Sequence, residues 1–173
     1  MNKKYKDIFL LLAICSIIGV ARSLILNDIP IIKLPIKEIS HEEIKNIKDL
    51  TLDGPKVVRL NECKEMYDNM KTVFIDARDT ESFSEGHILG AINIFFENSD
   101  DDLILEKLDG VSNDQIIVVY CDGGECDLSE ELGNHLFNNL SYKNILLYEG
   151  GFPEWKEGGL PIEGSTQNNI ENE

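Results

Sequence analysis

Gln115-Ile-Ile-Val-Val-Tyr-Cys121-Asp-Gly-Gly-Glu-Cys126-Asp-Leu-Ser-Glu-Glu-Leu132 decides how the rest of this chain is read. From Ile116 to Tyr120 the residues are unbroken apolar and rich in β-branching, the pattern of a strand covered on both faces, as strands inside parallel sheets are. A cysteine and two glycines follow, and then Leu128, Leu132 and Leu136 recur at helical spacing. The unit is a strand, a tight loop and a helix start, and ligands bind at that carboxyl edge of open α/β sheets. A loop short enough to curl back on its first residue turns backbone N–H groups inward, and Gly123 and Gly124 supply the φ freedom this requires. Those donors, with the positive end of a helix beginning near Cys126, favour a thiolate and make Cys121 the candidate nucleophile. The bland alternative is a small hydrophobe at the end of a buried strand. The glycine pair argues for the chemical role.

Composition bounds the rest. A chain of 173 residues with 42% hydrophobic content supports one core of ordinary size, so one domain plus a leader is expected. Lys and Arg total 16 against 32 Asp and Glu, and a net charge of -16 argues against a nucleic-acid surface or an anionic-lipid patch on the folded part. Four cysteines in a chain this long do not make a disulfide framework. Cys15 lies in the leader and Cys63 in a helical pattern, where a packed or half-exposed thiol is the expected role.

The leader, residues 1–26, opens with Lys3, Lys4 and Lys6 and runs into an uncharged apolar stretch from Ile8 to Val20, the mark of a membrane-targeting segment. Apolar character continues past Arg22 to Leu26, which favours an uncleaved anchor, with Arg22 snorkelling at the interface; Ala21-Arg22-Ser23 also fits a small-x-small cleavage site. Either way the lysines stay inside and the domain lies on the exported side, membrane-anchored or, after cleavage, secreted. Residues 27–54 read as a linker broken by Pro30 and Pro35, with a short helical pattern over Ile39–Ile44, a spacer able to pack on the domain. His41 reads as a solvated residue beside that helix start, since no second His or Cys is near. Residues 163–173 are too polar to pack and read as a disordered tail.

Between these, residues 55–162 alternate strand and helix patterns. Strands are expected at Lys56–Leu60, Thr72–Ile75, Ala91–Ile94 and Asn144–Leu147 besides Ile116–Tyr120. Helices are expected from a cap at Asn61 through Met70, from Asp79 or Thr80, over Asp101–Leu108, and at Pro153. Such alternation predicts an α/β fold, an open parallel sheet of about five strands with helices on both faces.

Ile75-Asp76-Ala-Arg78, followed by Phe83-Ser-Glu-Gly86-His87-Ile-Leu-Gly90-Ala91-Ile-Asn93-Ile, resembles the first signature of the rhodanese family, and Glu149-Gly150-Gly151-Phe152-Pro-Glu-Trp155-Lys-Glu-Gly158-Gly-Leu-Pro161 is similar to its closing signature. Cys121 stands between them where that family carries its persulfide cysteine, opening a loop of six residues. The resemblance implies a single rhodanese-like sulfurtransferase domain, a structural place for His87, and no cofactor. Asp76 has a reading of its own: at a strand's carboxyl end on the same sheet edge, it is placed to orient the active loop by accepting backbone N–H bonds, or to pair with Arg78. Phe152 and Trp155 are expected in the core beneath the loop.

The departures from the family pattern are chemical. Where active members place a basic residue after the cysteine and an arginine at the sixth loop position, this chain has Asp122 and Cys126, with Glu125 and Asp127 alongside. An acidic loop repels a dianionic donor by several kcal/mol, in order of magnitude, once partly desolvated, which argues against efficient thiosulfate use. Phosphatase relatives need that arginine and a longer loop, so phosphate chemistry falls too. Cys126 suggests a substitute: it can attack a persulfide on Cys121, releasing sulfide or leaving an intramolecular disulfide. A metal site is disfavoured, since a closed zinc site needs four ligands and only carboxylates are near. Three function classes follow: a sulfur-transfer or thiol-redox enzyme meeting a small sulfur donor and a thiol acceptor, a protein thiol included; a membrane-tethered binding module without catalysis; and a domain whose Cys121–Cys126 pair is a structural staple.

Overall fold

The computed structural model describes residues 36–45, 52–69, 72–124 and 126–165. The leader, the linker before Ile36, the loop residue Glu125 and the tail from Thr166 lie outside the described residues, and among the described residues no helix is long and apolar enough to cross a membrane.

The strand that the sequence put at the centre is at the centre. Strands β1 (Lys56–Val58), β2 (Val73–Asp76), β4 (Ile92–Asn93), β5 (Ile116–Tyr120) and β6 (Asn144–Tyr148) form one parallel sheet in the order β1-β6-β5-β2-β4. β5 pairs along its length with β6 on one side and β2 on the other, Val119 facing Leu147 and Ile75. All five β5 residues are buried, which is why its pattern runs apolar instead of alternating.

Alternate β5 residues serve two cores. Ile116, Val118 and Tyr120 face one layer with Cys63, Met66, Phe152 and Trp155; Ile117, Val119 and Cys121 face the other with Ile104, Leu108, Leu132 and Leu136. The first layer is built by helices α2 (Leu60–Asn69) and α6 (Gly151–Glu157), where Trp155 packs edge-on against Tyr67 and Tyr148 with ring centroids 5.3 and 6.4 Å apart. The second is built by α4 (Asp101–Lys107) and α5 (Leu128–Asn138). Asp100 caps α4 through the Leu103 N–H at 2.9 Å, and Asp79 caps α3 (Thr80–Glu85) through the N–H groups of Glu81 and Ser82, both at 3.0 Å.

Several element ends differ from the sequence reading. Asn61 does not cap α2; it lies inside the helix, whose first turn closes from the Cys63 N–H to the Arg59 carbonyl at 2.9 Å. β4 is shorter than expected, and β6 runs on to Tyr148. The spacer, read as able to pack on the domain, does so from Ile36 on: Glu38 bridges to Val57, the Ile39 N–H donates to the Val57 carbonyl at 2.9 Å, and helix α1 (His41–Lys45) buries Ile44. A reciprocal capping box holds α1, Glu43 accepting from the Ser40 N–H at 2.8 Å and Ser40 from the Glu43 N–H at 3.3 Å. At the other end, Glu163 is not in a disordered tail. β7 (Ile162–Glu163) pairs antiparallel with β3 (His87–Ile88), and Ser165 donates to the Ser84 carbonyl at 3.2 Å.

Candidate active site

Three strand ends converge. β5 ends at Tyr120 and delivers Cys121, β2 ends at Asp76, and β6 ends at Tyr148 and runs into Glu149-Gly150-Gly151. The Cys121 loop and the β6 loop are stitched by main chain: Phe152 N–H donates to the Cys121 carbonyl at 2.8 Å and Gly124 N–H to the Glu149 carbonyl at 3.1 Å. Close approach demands glycine here. Gly123 and Gly151 both sit at positive φ, 77° and 63°, and a Cβ on Gly151 would strike the Cys121 carbonyl and the Gly123 amide. The Gly124 N–H is thus committed to the neighbouring loop and does not join the inward cradle expected from the sequence.

Cys121 and Cys126 are joined by a disulfide, their Cα atoms 6.5 Å apart. Cys121 is 1% exposed, while Cys126 is only partly buried. The Cys121 sulfur lies 3.5 Å from the Ser129 hydroxyl oxygen and 3.5 Å from the Cys126 carbonyl oxygen. Ser129 stands in the first turn of α5, which begins at Leu128 and not at Cys126; Asp127 holds the capping position without a side-chain cap bond. Sequence reasoning passed over Ser129. Its signal was present, a hydroxyl residue eight positions after the cysteine, where the helix following a curled loop starts its first turn.

Among the described residues, Asp76 receives none of the loop's N–H groups. Its Oδ1 accepts from the Arg78 N–H at 2.9 Å, and its Oδ2 from Arg78 Nη2 at 2.6 Å. Arg78, stacked over the Phe152 ring at 4.6 Å, also donates to the Gly86 carbonyl at 2.7 Å and reaches Asp122 at 3.4 Å. Burial opposes the guanidinium's charge, but Asp76 outweighs it and holds the Arg78 pKa above its ordinary value. Asp76 therefore acts on the loop through Arg78. His87 is buried, stacked on Phe83 at 3.7 Å, with Nδ1 bonded to the Phe83 carbonyl at 2.8 Å. That is a packing role.

A cleft of about 90 Å³ opens over the disulfide, with Cys121, Cys126, Ser129 and Leu147 in its lining. Among the described residues, its charged lining groups are Asp127, Glu130 and Glu149, all carboxylates. Arg59 touches Glu149 at 3.4 Å from outside the lining and is shared with Glu38 at 2.9 Å, in exposed pairs that contribute little. Cys63 plays no part. It is fully buried in α2, and burial raises its pKa well above the ordinary thiol value.

Fold and site together define a single α/β domain that presents a cysteine at the carboxyl edge of a parallel sheet, in a loop clamped by glycines. Residues 59–158 match the family model described as the rhodanese-like domain, and the chain belongs to that family. Among its relatives, the "tRNA uridine(34) hydroxylase" of Photorhabdus laumondii is 31% identical over 67% of this chain and 34% of its own length. The "Putative thiosulfate sulfurtransferase" of Synechococcus elongatus is 28% identical over 57% of this chain and 35% of its own. The matched region thus spans about a third of either relative. The rhodanese-like domain of the Anabaena protein Alr3790 superposes with a TM-score of 0.52 at 23% identity, covering 65% of this chain and 82% of that one, a likeness of fold.

Proposed function

We propose that this domain is a sulfur-handling enzyme in which Cys121 accepts sulfane sulfur as a persulfide and Cys126 resolves it. In the first step the Cys121 thiolate attacks the outer sulfur of a donor R–S–SH, and R–S⁻ leaves with the electron pair of the broken bond. In the second, the Cys126 thiolate attacks the Cys121 sulfur, hydrosulfide leaves, and the Cys121–Cys126 disulfide forms. The sulfane sulfur is reduced to sulfide and the dithiol is oxidised, so electrons and atoms balance. The observation that carries this reading is the Cys121–Cys126 disulfide lying in a cleft at the sheet's carboxyl edge.

The test uses the reduced full chain and glutathione persulfide without added reductant. Wild type is expected to release sulfide and end as the disulfide; Cys126→Ser is expected to stop with about 32 extra mass units on the Cys121 peptide, and Cys121→Ser to do neither. Sulfide release by Cys121→Ser equal to wild type overturns the reading. A permanent staple is the second reading, favoured by the near-complete burial of Cys121. It requires the disulfide to resist mild thiols in the folded chain, whereas the enzyme requires it to open. On its lysines and apolar run alone, the leader is proposed to place the domain on the exported side of a membrane; a domain that stays protease-protected after selective opening of that side's compartment removes this part.

A further inference from the structure

The two sulfurs of the disulfide are not equivalent. Cys121 is 1% exposed at the end of β5, and Cys126 faces the cleft from a loop. Ser129 is itself 7% exposed, and among the described residues the one hydrogen-bond partner of its hydroxyl is the Cys121 sulfur at 3.5 Å. Of the two polar atoms near that sulfur, the Cys126 carbonyl accepts only, so it favours a protonated Cys121. The Ser129 hydroxyl can donate to a thiolate.

From this asymmetry we propose that an external thiol reopens the site by attacking Cys126, with Cys121 departing as a thiolate steadied by Ser129, a positioning residue. The inference rests on the redox reading above and adds its direction. The attacking thiolate R–S⁻, one sulfur of a dithiol reductant, bonds to the Cys126 sulfur. The Cys121–Cys126 bond breaks, and its electron pair stays on Cys121. The reductant's second thiol then displaces Cys126 and leaves with the reductant as its disulfide, which accounts for both electrons. Two features set this direction. The attacked sulfur must be reached by the incoming thiol, and Cys126 is partly exposed whereas Cys121 is buried. The better leaving sulfur is the one whose anion is hydrogen-bonded, and that is Cys121. A persulfide donor still meets Cys121 once the bond is open, because the sulfur it transfers is terminal and unsubstituted and Cys121 contributes to the cleft of about 90 Å³, whereas a disulfide reagent, whose sulfurs both carry bulk, meets Cys126 first.

The same direction holds in reverse, so oxidised glutathione is the probe. The reduced full-length variants Cys121→Ser and Cys126→Ser are each mixed with it, and the mixed disulfide is followed by mass. Cys126 in the first variant is expected to be modified at least about tenfold faster than Cys121 in the second. A Cys121 modified as fast or faster, or a Cys126 that is not modified, overturns the proposal. Ser129→Ala supplies the second readout: reduction of its disulfide by dithiothreitol should be several-fold slower than in the wild type, and added to Cys126→Ser it should raise the pH midpoint of Cys121 alkylation. Ser129→Thr should restore both. An unmoved midpoint in Ser129→Ala removes Ser129 from the mechanism. Persulfide uptake by Cys121, measured by mass, is a separate experiment, so loss of the direction and loss of the sulfur chemistry are told apart.

Discussion

Arg78 shows how much one side chain can hold. It joins Asp76 beneath the loop, the Gly86 carbonyl and the rim residue Asp122. Arg78→Met leaves Asp76, which has no exposure, as an unpaired buried charge, and is expected to lower unfolding free energy by about 3 to 5 kcal/mol in a urea titration. Asp76→Asn combined with Arg78→Met should recover part of that loss. Gly151→Ala is the matching backbone test. The left-handed φ alone costs about 1 to 2 kcal/mol, and the clash with the Cys121 carbonyl adds to it, so both stability and loop chemistry should suffer. At this scale the sequence was legible where chemistry and spacing coincide, as at Cys121, Gly123 and Cys126. It was silent on Ser129, because a serine in a helical run looks like any other polar position. It left Asp76 between the loop's N–H groups and Arg78, because which donor a buried carboxylate finds depends on a guanidinium whose path runs through Gly86 and Phe152.

Among the elements, the added edge at Ile36–Lys45 was the least visible. Prolines and short apolar groups read as a spacer able to pack on the domain, without saying where; Ile39 and Ile44 are buried with Val58 and Met66. Ile44→Ala is expected to cost about 2 to 5 kcal/mol, and a chain trimmed to begin at Pro55 to melt well below the longer one in a thermal scan. The strands β2, β5 and β6 were legible because unbroken apolar runs have few other homes. The β3–β7 pair was not, since two residues carry no period and the partners lie far apart in sequence. Helix α3 adds a pH dependence. Hydrogen bonds from Ser82, backbone first, and from Glu81 hold the Asp79 pKa below its ordinary value of 3.8. A depressed folded-state value means that the cap stabilises fully above pH 3.8 and fades as pH falls through the lower value. Asp79→Asn, a cap without a titration, should flatten that acid limb of the stability curve while keeping the helix.

For the whole molecule, charge is the governing quantity. A net charge of -16 surrounds a cleft whose charged lining, among the described residues, is Asp127, Glu130 and Glu149. Anionic donors are expected to react slowly at low salt and faster as salt screens the field, while a neutral sulfane donor should show little salt dependence. Replacing Glu130 and Glu149 by glutamine should narrow the gap between thiosulfate and the neutral donor; a gap that stays constant means that field does not govern donor choice. Labelling experiments gain an internal control in Cys63, whose buried, raised-pKa thiol should stay unmodified until the chain unfolds. The stitched loops have an optical consequence as well. The chain has a single tryptophan, Trp155, and it lies in α6, the helix whose first turn takes the Phe152 N–H to the Cys121 carbonyl. Any shift of the Cys121 backbone as the disulfide opens and closes is handed directly to that helix and to the aromatic cluster around its indole, so the intrinsic fluorescence of the protein should report the redox state of a site that contains no chromophore of its own.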